Sequence, residues 1–347
     1  MFLRGNLFRW VGTIAGALCA FVLGAGFSSA QEEKVKIALL MINADAGIFL
    51  AMERGYFKEQ GLVVEPIYFS SSGGPQMAAL TNGGLDAGSG SISPGIYNAV
   101  AGAVELKVVA AKSRVGPRGS GRFTARQSLI EPGKPFGIKD VKGKIVAINS
   151  AAGSSRIYLD GFLKRGGLNE ADVTMRVMSF SDMPAALSSR VIDVAFMVQP
   201  FATQVEESGA GVALVDLADL FPGHMTNNLF YADSFIKNRP RVAEKFMIGL
   251  VKGQRFFNDA VIKQKASVDE IADVVAKYLR VRDKKLLKIG LSMQELAPNG
   301  EVNIQEIQED QEWYFQRGLI KTKVDVNKMV DLRFIQSAVS ALGPYGR

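Results

Sequence analysis

Apolar residues fall in short blocks along this chain, and the blocks alternate between two periods. KVKIALLM at 34–41 is a short, mainly apolar strand candidate, and AGIFLAMERGYFKEQG at 46–61 then carries helical spacing, with Ile48, Met52 and Phe57 near one face and Gly61 as the stop. LVVEPIYF at 62–69 predicts a second strand. Gly73, Gly74 and Pro75 suit a helix start, QMAAL its sheet-facing surface and TNGG its end, with LDAGS a third strand. Pro94 opens another helix, and ELKVVAAKS at 105–113 is the fourth strand. Regular alternation of strand and helix predicts a parallel α/β sheet.

The pattern then recurs. AALTNGGLDAG at 78–88 is echoed by AALSSRVIDVA at 185–195, each a small-residue helix end followed five residues later by an aspartate, Asp86 or Asp193, that opens an apolar strand. Upstream of each, an apolar strand ends in Phe-Ser, in IYFSSS at 67–72 and in VMSFSDM at 177–183. A conserved order of strand, serine, helix, aspartate and strand predicts two related α/β domains, with both aspartates as turn-formers. KSRVGPRGSGRFTARQSL marks a crossing between them and DLFPGHMTNNLFY a return. GPRGSGR misses a phosphate loop, since Arg122 and Phe123 stand where Lys and Ser or Thr are required. Beyond the return the chain reads as helices, including RVAEKFMIGLVKGQRFF, whose Val242, Phe246, Leu250 and Phe257 form a core stripe.

The serines and glycines of SSSGGPQMAALTNGGLDAGSGSISP at 70–94 fall just after predicted strands and before predicted helices. In an open α/β sheet these turns line the carboxyl edge, where ligands bind against unpaired helix N–H groups. Gly73 and Gly90 would let backbone approach a guest. Aromatic residues near the turns, Phe69, Tyr97, Tyr158, Phe180 and Phe201, either flank a planar guest or pack beneath the turns.

The first thirty residues differ from the rest. Two arginines in MFLRGNLFR, the uninterrupted apolar run WVGTIAGALCAFVLGAGF and the small residues of SSA have the order of a secretory signal, with cleavage expected after Ala30 rather than retention as an anchor. Cleavage removes Arg4, Arg9 and the only cysteine, leaving 39 basic against 34 acidic residues, a net charge of +5. Thiol chemistry and disulfides are then excluded, and with His224 the sole histidine so are the usual zinc sites; no metal and no cofactor is expected. The basic excess is interleaved with acids, which argues against nucleic acid.

Four blocks, AGIFLAMERGYFKEQGL, SSGGPQMAALTNGGLDAG, GIKDVKGKIVAINSAAGSSRIYLDGFLKRGGL and MPAALSSRVIDVAFMVQPFATQVEESGAG, resemble the periplasmic solute-binding proteins of ABC importers, in the branch serving nitrate, taurine, aliphatic sulfonates and thiamine pyrimidine precursors. The resemblance implies a type II clamshell of two α/β domains joined by a double-crossing hinge, with the ligand cleft between them. The expected boundaries are 1–30 for the signal, 31–115 with 225–347 for the larger domain, and 116–224 for the smaller. It implies a monomer that captures a small anionic or polar organic solute in the periplasm and passes it to a membrane permease, without catalysis. Two other classes stay open: a sensor for a membrane kinase, and an enzyme like the pyrimidine-precursor synthase, whose cysteine-rich motif the mature chain lacks.

Topology and resemblance together nominate ligand-binding residues. These are Asn43 after the first strand, Ser71 and Ser72 after the second, Ser89 and Ser91 after the third, and Ser154, Ser155 and Arg156 in the turn and first helical residues after IVAINS. Gln199 before Pro200 and Asn227 on the return crossing complete the set of ten, and Asn228 shares that crossing. Ser154 or Ser155 is expected to cap its helix. Arg156, the wrong sign for a helix start, is expected either to clamp an anion with the helix dipole or else to turn to solvent or pair with Asp160. His224 is read as a surface or hinge residue.

Overall fold

A computed structural model describes residues 32–104, 106–117 and 119–346, so the expected signal and its cleavage point lie outside the described residues. Eleven strands form two sheets. The first takes β1 (Glu33–Leu39), β2 (Leu62–Tyr68), β3 (Ala87–Gly90), β4 (Leu106–Arg114), β10 (Met225–Ala232) and the short β11 (Glu295–Leu296). The second takes β5 (Gly121–Arg126), β6 (Ile145–Ile148), β7 (Thr174–Val177), β8 (Val194–Val198) and β9 (Gly211–Asp216). The expected α/β architecture is therefore present, but each sheet is mixed rather than wholly parallel, and each is covered by its own apolar cluster.

The two sheets share one plan. Reading across the first gives β2-β1-β3-β10-β4, and across the second β7-β6-β8-β5-β9. In each, the first three are parallel and the fourth runs antiparallel. That antiparallel strand enters from the other sheet: β5 follows β4, and β10 follows β9. Residues 115–120 and 217–224 are the two crossings that result.

The repeated aspartates hold equivalent positions in this plan. Asp86 Oδ2 accepts from the Lys36 N–H and Asp193 Oδ2 from the Ile145 N–H, each at 2.9 Å, tying the residue just before the pairing begins on one parallel strand to the residue that precedes its neighbour. Each second oxygen takes an arginine, Arg239 at 3.1 Å for Asp86 and Arg126 at 2.9 Å for Asp193. The sequence echo thus records a shared way of starting a strand pair, in which a carboxylate satisfies a backbone donor that the ladder leaves over.

Outside the sheets, the helix Pro240–Val261 lies on the helix Ala46–Glu53. All four residues of its expected stripe are buried. Gly253 permits the close approach, since a Cβ there would sit 2.0 Å from the Gly47 carbonyl oxygen. The expected 46–61 helix is shorter than its periodicity suggests: it stops at Glu53, and Gly61 closes a separate 3-10 turn with φ of 72°.

Replacing Asp193 or Asp86 by Ala removes an ionised acceptor from a backbone donor and an arginine, and each should cost about 1.5–3 kcal/mol in urea unfolding. The two share no partner, so the double variant should show additive losses. A loss below about 0.5 kcal/mol at both would remove the strand-starting role.

Candidate functional site

The carboxyl ends of the parallel strands in both sheets converge on one cavity of about 50 Å³. A buried water needs about 10–15 Å³ of such space, so the cavity holds a guest of only a few non-hydrogen atoms. Its walls come from the turns after β1, β2 and β3 on one side and after β6, β7 and β8 on the other, closed by the first residues of β10. This is the crevice that an open α/β sheet offers.

Six of the ten nominated residues line it: Ser72, Ser91, Ser154, Ser155, Gln199 and Asn227. Ser72 Oγ lies 3.3 Å from both the hydroxyl and the carbonyl of Ser91. Gly90 serves that contact rather than a guest, because a Cβ on it would fall 2.2 Å from Ser72 Cβ. Ser154 and Ser155 are the first two residues of the helix Ser154–Arg165, which Gly153 caps, so neither serine is the cap expected. Ser155 donates instead to the Ser150 carbonyl at 3.1 Å.

Arg156 departs from these expectations. It does not line the cavity and does not pair with Asp160; its Nε and Nη2 bind Glu170 at 2.9 and 2.7 Å, and Nη1 donates to the Ala151 carbonyl. Glu170 thereby brings to the first helical turn the negative charge that the dipole favours. Asp160 is engaged by Trp313 Nε1 at 2.9 Å, by Lys164 at 2.9 Å and by Arg317. Glu170 lies 14 residues after Arg156 in a 3-10 turn, beyond any helical spacing rule.

Three other nominated residues sit beside the cavity without lining it. Ser71 is half-buried and accepts only from the Gly73 N–H two residues on. Asn43 is fully buried, with an amide that has no partner among the described residues, while its backbone N–H donates to the Gln199 carbonyl at 3.2 Å and so links the two sheets. Ser89 lies beneath the floor, joined to Asp45, Lys112 and Asn227. Asn228, next to Asn227, is buried and outside the lining.

Several lining residues escaped sequence reading. Asn149 lay inside a quoted strand block and signalled itself by position alone, whereas Thr226 and Gln294 carried no local pattern. Of the aromatic candidates Tyr158 and Phe180 line the cavity, joined by Phe196; Tyr97 packs in the core against Tyr314. Tyr158 is the sole titratable side chain among the described lining residues.

Behind Tyr158 lies a polar cluster on the second crossing. His224 Nδ1 is 2.9 Å from the Tyr158 hydroxyl and 3.3 Å from Glu306, and Nε2 is 3.3 Å from Asp310. Its side chain is 11% exposed, so the surface reading of His224 falls away. Burial pulls the imidazole's pKa down, but the hydrogen bond to Asp310 and the charges of Asp310 and Glu306 outweigh it and leave the value raised. Burial pushes Glu306 up to about 6, against the pull of His224 and the Met225 N–H.

Residues 28–276 match the model of the NMT1-like family. The chain is 27% identical to a protein of Bacillus subtilis described as aliphatic sulfonates-binding, over 91% of this chain and 92% of that one. Its fold is that of the ligand-binding component of an ABC-type import system from Staphylococcus aureus, with a TM-score of 0.72 at 18% identity, covering 88% of this chain and 99% of that one. The desulfurization enzyme DszB shares the fold at a TM-score of 0.64 and 12% identity, covering 90% of this chain and all of the other.

Both His224 and Glu306 hold their protons more tightly folded than unfolded, so stability should fall as pH rises. The fall should begin near the unfolded glutamate value of about 4.3, pass through 6 and continue through the raised histidine value. Urea midpoints measured from pH 5 to 8.5 should therefore decline in the wild type and decline less steeply in His224→Asn, where Glu306 alone of the two remains linked. Parallel profiles for the two proteins would mean that the histidine is not a linked group.

Proposed function

The chain belongs to the NMT1-like family, and from that premise we propose that it is the solute-binding component of an ABC importer, holding one small anionic or polar organic molecule between its two sheets. The observation that carries the reading is the lining of the cavity: hydroxyls, carboxamides and apolar groups from both sheets, with neither a carboxylate nor an amine among the described lining residues. Such a wall binds an acceptor-rich guest through neutral donors; its serine hydroxyls have no carboxylate, amine or imidazole among the described lining residues to activate them, and its one titratable group is the Tyr158 phenol. The non-catalytic reading rests on that chemistry. The likeness to a desulfurization enzyme concerns the fold, and function resides in the site.

Residues 31–115 with 225–347 form one lobe on this reading, and 116–224 the other. Capture works by closure: a solute that touches Ser72, Ser91 and Asn227 on one side and Ser154, Ser155 and Gln199 on the other favours the state in which both sets reach it. Secretion through the leader places this event in the periplasm, and the loaded monomer docks to a permease.

Protein recovered from the periplasm should have an intact mass that begins at Gln31. In thermal-shift assays it should be stabilised by ethanesulfonate, nitrate or propionate, by about 2.7 kcal/mol at a hundredfold excess over Kd, and not by ethylammonium. Arg156→Ala should bind the same anion within twofold of the wild type. Stabilisation by the cation alone, or a tenfold loss in Arg156→Ala, would contradict the reading.

A further inference from the structure

Beneath the cavity floor, four adjacent strands of the first sheet or the turns beside them each contribute one polar side chain to a buried chain of contacts. Lys112 on β4 is 1% exposed and its Nζ lies 2.7 Å from Asp45 Oδ1 and 2.5 Å from Ser89 Oγ. Ser89 on β3 lies 2.7 Å from Asn227 Oδ1 and 3.2 Å from Asp45 Oδ1. Asp45, in the turn after β1, takes the Leu40 N–H at 3.0 Å on its other oxygen. Asn227 on β10 is the one member of the chain that lines the cavity.

The distances determine which way the chain runs. An ammonium can only donate, so Ser89 accepts from Lys112 and has one proton left to give. A hydroxyl donating to a carboxylate sits at about 2.5–2.7 Å, well inside the 3.2 Å to Asp45, whereas a neutral O–H···O contact has its mode near 2.7–2.8 Å, matching the 2.7 Å to Asn227. The amide is placed with Oδ1, and not Nδ2, toward Ser89. The proton therefore goes to Asn227, and the atom it meets is the carboxamide oxygen. Nδ2 is left facing the cavity, with no protein partner among the described residues.

The geometry points to Ser89, Lys112 and Asp45 as positioning residues that lock the Asn227 carboxamide with its N–H2 toward the guest, making Asn227 a donor-only selector for ligands that present an acceptor there. This rests on the cavity being the solute site. Gln199 on the opposite wall is held in the same sense: its Oε1 accepts from the Thr203 hydroxyl at 2.8 Å and from the Thr203 N–H at 3.3 Å, while Nε2 donates to Met293 Sδ at 3.1 Å and keeps a second N–H to give. A backbone N–H cannot reverse its role, so this second amide is polarised independently. The two carboxamides then meet a guest from both sheets with donors.

Neutron diffraction from deuterium-exchanged crystals of the wild type tests the lock without any ligand. Three deuterons on Lys112 Nζ, the Ser89 deuteron on the line to Asn227 Oδ1 and the Asn227 ND2 group at the cavity are expected. A Ser89 deuteron directed at Asp45, with Nδ2 facing Ser89, would overturn the proposal. Calorimetry with ethanesulfonate and its donor-bearing analogue ethanesulfonamide adds a readout that a merely structural role would not move. Ser89→Ala should reduce the preference for the sulfonate at least fivefold, while equal weakening of both probes would make Ser89 a packing residue and overturn the positioning role. Asn227→Asp, isosteric but reversed in polarity, should bind ethanesulfonate roughly ten- to a hundredfold more weakly than the wild type, the loss of one hydrogen bond to a charged group. Unchanged affinity in Asn227→Asp would overturn its role as selector. Binding of neither probe by the wild type would count against the sulfonate-like solute, and the neutron map would still decide the lock.

Discussion

Lys112 and Asp45 are both withdrawn from water, and the organisation of the cavity floor follows from what their burial requires. An isolated ammonium at this depth would be expelled or neutralised; a carboxylate at 2.7 Å and a hydroxyl at 2.5 Å make it tolerable. Burial pulls the Lys112 pKa down and Asp45 opposes the change. Removing either partner would leave the other uncompensated, so the pair demands its surroundings: a turn after β1 that folds Asp45 inward, a serine at the end of β3 and an asparagine at the start of β10. Four neighbouring strands are thereby registered at their ligand-facing ends by one polar cluster.

A second constraint works at the scale of the whole chain. Each sheet is completed by an antiparallel strand that arrives from the other, so neither sheet is finished until the chain has crossed twice. The crossings enter β5 and β10 at the edge where the parallel strands end, and this brings Ser120, Thr226 and Asn227 into the same wall as the strand-to-helix turns. His224 sits at the end of the second crossing, between Tyr158 on the cavity wall and two carboxylates of the helix Ile304–Gln316. The second crossing and the wall of the site are thus in direct hydrogen-bonded contact.

The strand and helix alternation, the internal echo and the two crossings were legible because they depend on local periodicity and on glycine and proline positions. Asp86 and Asp193 could be matched by spacing, although their hydrogen bonds to Lys36 and Ile145 could not, since those partners lie about fifty residues away. Serines at strand ends could be nominated from topology, and six of the ten nominated residues meet at the cavity. The failures have a common origin. Arg156 was judged by helical spacing, and the acid that satisfies it comes from a turn that packs beside the helix. Ser89 was placed at the correct edge, but its strand turns it toward Lys112 rather than the guest. Lys112, within an apolar strand block, offered no sign that its charge would be buried. Gln294 and Trp313 belong to the helical tail, where sequence showed amphipathic faces and gave no hint of which lobe they would meet.

The central claim is that a small acceptor-rich solute is held between the two sheets by neutral donors. A crystal structure of the protein grown with ethanesulfonate tests it most directly. The account predicts sulfonate density in the cavity, within hydrogen-bond reach of Asn227 Nδ2 on one side and of Ser154 or Ser155 on the other. Density confined to an outer surface groove, or a sulfonate drawn to Arg156 in place of Glu170, would contradict it.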